Sequence, residues 1–256
     1  NTLAGVSGFI LALLIVSLIN HNWTSDIKFN ILKNFDTQDN ELISGDTTNP
    51  KFEQMLFHAY DSTITNASLK LDAAAGSFLL KDTCTNLIQV NTFTKIGESN
   101  LNIGIEETTA NVYLDLSLDN IFKKSKSKRK ANIMLNHIPR WDVSLNLGAC
   151  SFEADLTQYK IGNINLEGGA SNIELKLGEP ADTTYLAVSV GASNLEVHVP
   201  NWVACEINSN TGLTKKDYRG FSFINGQWLT ENHSTAPKRI IINIEGGVSN
   251  IQVSRY

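Results

Sequence analysis

The chain has 256 residues, 42% of them hydrophobic and 18% charged, with 26 acidic and 21 basic side chains and a net charge of −5. That apolar content excludes a disordered chain, and five prolines with 17 glycines exclude a collagen-like or low-complexity sequence. The acid excess argues against nucleic acid as the main partner.

No charge occurs before Asp26, and residues 3–19 (LAGVSGFILALLIVSLI) form an unbroken apolar run. As a helix this run is about 25 Å long, just short of a hydrocarbon core of about 30 Å. Trp23 follows at a position suited to the membrane interface. The expectation is a transmembrane anchor over residues 1–22. An uncleaved signal peptide and a buried core helix are the alternatives; no A-x-A-like cleavage site follows Ile19. Residues 23–60 hold scattered turn formers (Asp46, Thr47, Thr48, Asn49, Pro50) and no clean alternation, and they read as a linker. Residues 61–256 form the folded domain. Its first half predicts strands around 68–71, 77–80, 87–92, 100–105, 111–117 and 131–136, with no amphipathic helix of three turns.

The second half repeats itself. INLEGGASNIEL at 164–175 recurs as INIEGGVSNIQV at 242–253. VSVGASNLEV at 188–197 is a shorter copy, and LNLGACSFEA at 145–154 and LKLDAAAGSFLL at 69–80 are degenerate ones. Aligned on the serine, Ser151, Ser171 and Ser193 are 20 and 22 residues apart. In each copy, period-two alternation sends Ile164 and Leu166 inward and Asn165 and Glu167 outward, and it resumes after a corner. The corners are Gly168, Gly169 and Asn172; Gly191 and Asn194; and Gly246, Gly247 and Asn250, where glycine would supply positive φ and asparagine would tolerate it. Five residues separate Leu166 from Ser171 but three separate Val190 from Ser193, so bulges are expected to absorb a slip. A strand–turn–strand unit of this period predicts an all-β fold, a β-solenoid of the single-stranded β-helix type on an N-terminal transmembrane helix. An antiparallel sandwich of similar hairpins is the alternative.

An apolar N-terminal helix, then ASLKLDAAAGSF at 67–78 and Asn86-Leu87-Ile88, then repeated Gly-Ala-Ser-Asn corners together resemble the LiaF-like, or toast-rack, envelope proteins of bacteria. The resemblance spans roughly residues 57–253 and its motifs are structural. It implies a non-enzymatic β-solenoid on a membrane anchor at the bacterial cytoplasmic membrane. It also implies a role in cell-envelope stress and cell-wall-antibiotic responses, in part by restraining a sensor kinase. It supplies no catalytic motif. This chain departs from the family in having one membrane helix and a long basic loop.

Several side chains stand out for chemistry. Lys123, Lys124, Lys126, Lys128, Arg129 and Lys130 put six basic residues in eight, at what reads as a loop tip that could meet anionic lipid. No aromatic residues interleave with them, which speaks against nucleic acid. Asn225-Gly226 between apolar stretches predicts a hairpin in which Phe221, Phe223 and Trp228 either contact a partner or cap the solenoid's end. The gap between Ser193 and Ser249 has room for one more rung near Asn208 to Gly212 besides this hairpin. Cys84, Cys150 and Cys205 lack C-x-x-C spacing; Cys150 reads as a buried corner residue, and a Cys84–Cys150 bridge is a further option. The five histidines lack metal-ligand spacing, and no cofactor is expected. Three functions follow: a scaffold or signalling subunit that binds a protein partner or itself at the membrane, a structural or adhesive surface protein, or a carbohydrate-active enzyme using Glu167 and Glu245.

Overall fold

The computed structural model describes residues 54–93, 99–117, 129–247 and 249–256. The predicted anchor at 1–22 and most of the predicted linker lie outside them. The described residues contain nineteen strands and no helix. In chain order the strands are β1 (Gln54–His58), β2 (Asn66–Ala73), β3 (Gly76–Thr83), β4 (Ile88–Thr92), β5 (Asn100–Glu106), β6 (Thr109–Leu116), β7 (Arg129–Leu135), β8 (Arg140–Leu147), β9 (Ser151–Asp155) and β10 (Lys160–Gly168). They continue as β11 (Asn172–Lys176), β12 (Thr183–Val190), β13 (Asn194–Val199), β14 (Ala204–Thr211), β15 (Lys215–Tyr218), β16 (Phe221–Ile224), β17 (Gln227–Thr230), β18 (Arg239–Gly246) and β19 (Asn250–Arg255). Every strand expected in the first half is present. β1 lies inside the predicted linker, so the folded domain starts at least as early as Gln54.

The strands form two sheets that share one core. A nine-stranded sheet runs β1-β4-β7-β3-β9-β11-β13-β19-β15, and a ten-stranded sheet runs β16-β17-β14-β18-β12-β10-β8-β2-β6-β5. Each sheet supplies one strand to each rung, and rungs stack in parallel register: Ile164 pairs with Val143 on one side and Leu186 on the other, and Ile173 pairs with Phe152 and Leu195. This parallel stacking decides for the solenoid over the antiparallel sandwich. Alternation explains it: Ile164, Leu166, Ile173, Leu175, Ile242, Ile244, Ile251 and Val253 are all buried, and a rung alone could not cover them. Burial of each such side chain is worth about 1.5–3 kcal/mol, realised only when the next rung is in place.

Spatial order differs from chain order at both ends. β2/β3 lies between β6/β7 and β8/β9, although β6/β7 follows it in the chain. At the other end the last rung, β18/β19, inserts between β12/β13 and β14/β15. The chain therefore passes over one rung at each end: back across β2/β3, which is already in place, and past the position that β18/β19 fills last. Antiparallel strands finish the stack: β4 and β1 beyond β7, β5 beyond β6, and the β16–β17 hairpin beyond β14.

The observed register corrects the sequence alignment at two rungs. Asn172 pairs with Ser151, so Cys150, not Ser151, stands where Ser171 stands one rung later. Val188, not Val190, matches Leu166, and the corner has the same length in successive rungs. The expected slip is absent there. Register shifts occur elsewhere, between Ile161 and Ile164 against β8 and between Leu80 and Thr83 against β7.

Candidate functional site

The repeated corner, where each rung turns from the larger sheet to the smaller, is a column of hydrogen bonds. Ser193 donates its hydroxyl to the Gly169 carbonyl at 3.1 Å and accepts the Ser171 amide at 3.3 Å. Ser249 donates to the Gly191 carbonyl at 2.8 Å and accepts the Ser193 amide at 3.5 Å. Ser171 donates to the Gly148 carbonyl, and Thr214 extends the column by donating to the Gly247 carbonyl at 3.0 Å. The hydroxyls thus serve backbone groups of the neighbouring rung at the turn, accepting the Ser171 and Ser193 amides there, while the Gly169 carbonyl also accepts the Ala192 amide. Cys150 occupies the first serine's place, its Sγ 4.0 Å from the Ser171 hydroxyl.

The glycines and asparagines of this corner play other parts than expected. None of Gly168, Gly169, Gly191, Gly246 and Gly247 has positive φ, nor do Asn172, Asn194 and Asn250. Space is the reason for the glycines at the tightest points: a Cβ on Gly191 would sit 3.0 Å from the Gly169 carbonyl oxygen, and one on Gly168 3.1 Å from Val190. The asparagines head strands and form an amide ladder, Asn250 donating to Asn194 at 2.6 Å and Asn194 to Asn172 at 2.8 Å.

The predicted hairpin is present. Phe223 pairs with Trp228 and Ile224 with Gln227 around a turn in which Asn225 and Gly226 both have positive φ, at 50° and 87°. These angles suit a type I′ turn, which matches strand twist. Trp228 and Phe221 pack against the core, and Trp228 meets Tyr218 of β15 edge-on at 5.3 Å, joining the two sheets. These two residues cap the end. Phe223 stacks on Trp228 at 5.2 Å yet is 62% exposed, and Ile224 beside it is also exposed. The part of the hairpin open to a partner is therefore its outer strand.

The basic cluster divides. Lys123, Lys124, Lys126 and Lys128 lie outside the described residues. Arg129 opens β7, is only 2% exposed, and donates through Nη1 to the Ser117 carbonyl at 2.9 Å. It is a buried structural side chain, so the expectation of lipid contact is corrected at that position. Lys130 is half-buried in the same strand.

The three cysteines are free, so no Cys84–Cys150 bridge forms. Burial pushes the Cys150 thiol up to about 11 and the Cys205 thiol up to about 12, and raises Cys84. Thiols held protonated at neutral pH are poor nucleophiles and poor metal ligands. Among the described residues no group of three or more histidine, cysteine, aspartate or glutamate side chains could hold a metal ion. His198 stands between Glu174, at 3.4 Å, and the Ser254 hydroxyl, at 2.8 Å. Glu167 and Glu245 share an outward row but are separated by Ser189. That row, with Asp72, Asn146, Glu167 and Ser189, borders an open groove of about 580 Å³ along the repeated corner.

Sequence patterns gave no sign of several exposed aromatics, Phe57, Tyr185 and Trp202 among them. Trp202 lies in the connection between β13 and β14, is 60% exposed, and donates its indole N–H to Glu179 at 3.1 Å. Its only signal was a tryptophan beside proline and asparagine between two alternating runs.

The family described as the N-terminal domain of toast_rack, DUF2154, matches residues 36–198. The chain belongs to this family. The match starts within the predicted linker and covers the toast-rack rungs up to β13. The toast-rack architecture is shared with the crystal structure of a candidate cell adhesion protein from Clostridium sporogenes, at 17% identity and a TM-score of 0.73, covering 81% of this chain and 100% of that one. A candidate adhesin from Parabacteroides merdae matches at 10% identity and a TM-score of 0.27, covering 78% of this chain and 95% of that one. No curated protein matches the chain. Among the described residues no helix is long and apolar enough to cross a membrane.

Proposed function

We propose that this chain is a non-catalytic interaction module of the bacterial envelope, anchored in the cytoplasmic membrane by residues 1–22. In this reading its toast-rack domain binds a protein partner, a sensor kinase or another subunit of a membrane complex, as part of an envelope stress response. The observation that carries it is the outer strand of the terminal hairpin. It exposes Phe223 and Ile224, bears no charge, and has one edge unpaired at the end of the stack. An uncharged edge strand is a site for strand addition by another chain. At the opposite corner of the same end, β15 exposes Lys215 and Lys216, side chains that discourage such pairing. The charge-free run at 3–19 and the lysines at 123–128 supply the membrane side of the reading, through insertion and through attraction to anionic head groups worth about 1 kcal/mol per charge near the surface.

The test is co-purification of the full chain in mild detergent, with mass spectrometry of what accompanies it, for the native chain and for Phe223→Asp. A membrane protein recovered with the native chain and lost from the variant supports the reading. A native chain that emerges alone and monomeric contradicts it. Adhesion is a second reading, favoured by the name of the Clostridium relative. It requires the toast-rack domain to be cleaved by protease added outside intact cells, and a protected domain excludes it.

A further inference from the structure

The connections on the side opposite the glycine–serine column are irregular, and one of them is built with unusual care. Between β13 and β14 the chain must pass the rung β18/β19 that inserts between them, and residues 200–203 make that crossing. The crossing is fastened by residues 255 and 256. Arg255 Nη2 donates to the carbonyls of Val203 at 3.2 Å, Pro200 at 3.5 Å and Asn201. The Asn201 amide donates to the Tyr256 carbonyl at 2.8 Å. On this pinned segment sits Trp202.

The indole has its own set of contacts. Its N–H donates to one oxygen of Glu179, and Lys238 pairs with the other. Its ring meets Tyr256 edge-on, centroids 6.4 Å apart and planes at 77°. Tyr256 is itself held by its hydroxyl, which donates to the Leu177 carbonyl at 2.7 Å, and by Lys176, whose Nζ lies 4.8 Å from the ring centre. The only polar atom of the indole is therefore satisfied, and the rest of its exposed ring is apolar. Trp141 shows the alternative that the same fold uses for structure: it is fully buried, with its N–H on the Asn136 carbonyl.

We propose that Trp202 is a binding platform for a pyranose ring of a glycan, with Glu179 and Lys238 receiving its hydroxyls. A sugar with all-equatorial substituents, such as a β-linked gluco-configured residue, presents axial C–H groups to a flat aromatic face and directs its hydroxyls outward in the ring plane. At Trp202 that plane is edged by a carboxylate and an ammonium group, an acceptor and a donor of charge-assisted hydrogen bonds. The same surroundings disfavour a protein partner. Cores of protein interfaces are depleted of charge and ringed by further apolar contacts, whereas Trp202 bonds to Glu179, which is itself paired with Lys238. Holding the ring still in advance lowers the entropy cost of binding. The platform does not depend on the anchor or on the hairpin, so it stands apart from the function proposed above.

Isothermal titration of the full chain in a sugar-free detergent tests it, with chitotetraose and cellotetraose as probes. The native chain is expected to bind at least one with a dissociation constant at or below about 1 mM. Trp202→Ala is expected to weaken binding at least about tenfold, the loss typical of an anchoring aromatic, and Trp202→Phe to recover part of it. The unfolding temperature of each variant shows that the fold is kept. Binding of chitotetraose alone points to N-acetylated wall-type glycan, and binding of both to gluco-configured glycans generally; either supports the platform. Binding of neither probe, or equal binding by native chain and Trp202→Ala, overturns it. So does a change of oligomeric state in Trp202→Ala without sugar binding by the native chain, since the ring would then be a protein contact. A chain that binds sugar but emerges alone from co-purification leaves this inference intact and removes the partner reading.

Discussion

The two sides on which the rungs turn make opposite use of their residues. On one side the chain repeats Gly-x-Ser-Asn, buries Ser171, Ser193 and Ser249, and uses each hydroxyl on the preceding rung's backbone. On the other side the connections differ in sequence from rung to rung, and one of them holds Trp202 in the open. Repetition in a solenoid marks what stacking requires of every rung. Departures from repetition mark where one rung can be spared for another purpose.

The comparison can be broken most severely at the rung that both sides share. β18/β19 pairs on both flanks, so removing residues 239–256 leaves β12/β13 and β14/β15 with no partner between them. Complete loss of the cooperative unfolding transition is expected by circular dichroism. A shortened chain that still melts cooperatively would show that the C-terminal rung is an appendage.

A single hydroxyl tests the column. Ser193→Ala leaves the Ser171 amide without its side-chain acceptor in a buried corner, and a cost of about 1–3 kcal/mol is expected by urea denaturation. Glycines sharpen the same point by contrast. Gly191→Ala pushes a methyl group against the Gly169 carbonyl oxygen and is expected to cost about 1–2 kcal/mol. Gly104→Ala in edge strand β5 meets nothing within 4 Å and is expected to be neutral or to stabilise by up to about 1 kcal/mol through the unfolded chain. If the two alanines cost the same, close packing is not why the corner is glycine.

The smallest effect belongs to the other side. Hydrogen bonds from Lys238 and Trp202 hold the Glu179 carboxyl below the ordinary carboxylate range. A depressed folded-state pKa keeps the carboxylate and its indole contact intact above the ordinary glutamate pKa, and the contact is lost only as pH falls below that range. Trp202 emission, isolated as the difference between the native chain and Trp202→Phe, should therefore be flat from pH 7 to pH 5 and change only under more acidic conditions. A change centred at the ordinary glutamate pKa or above it would show that the contact does not hold the ring.

Much of this fold was legible because stacking imposes a period on the sequence. Alternation located the strands, and Asn225-Gly226 located the hairpin, since few residues other than asparagine and glycine accept positive φ. The alignment slipped by one residue because Ser151 stands next to Cys150 and imitates the repeated serine, while the residue in the serine's place is a cysteine. The leapfrogging of rungs was not legible at all. Leu186, Ile207 and Ile242 offer the same apolar face, and only the connections decide which lies beside which. The corner glycines were assigned the wrong cause, since sequence shows the absence of a Cβ but not the carbonyl that excludes it. Trp202 was invisible because it belongs to no repeat, and Arg129 was placed with exposed lysines because its burial depends on Ser117, twelve residues earlier in the chain.

Titration of chitotetraose and cellotetraose into Ser193→Ala and Trp202→Ala, each with its unfolding temperature, tests the division between the two sides most directly. The expected result is a crossed one: Ser193→Ala melts lower and binds sugar as the native chain does, whereas Trp202→Ala melts close to the native chain and loses binding. The opposite pairing, or a loss of both properties in each variant, would contradict it.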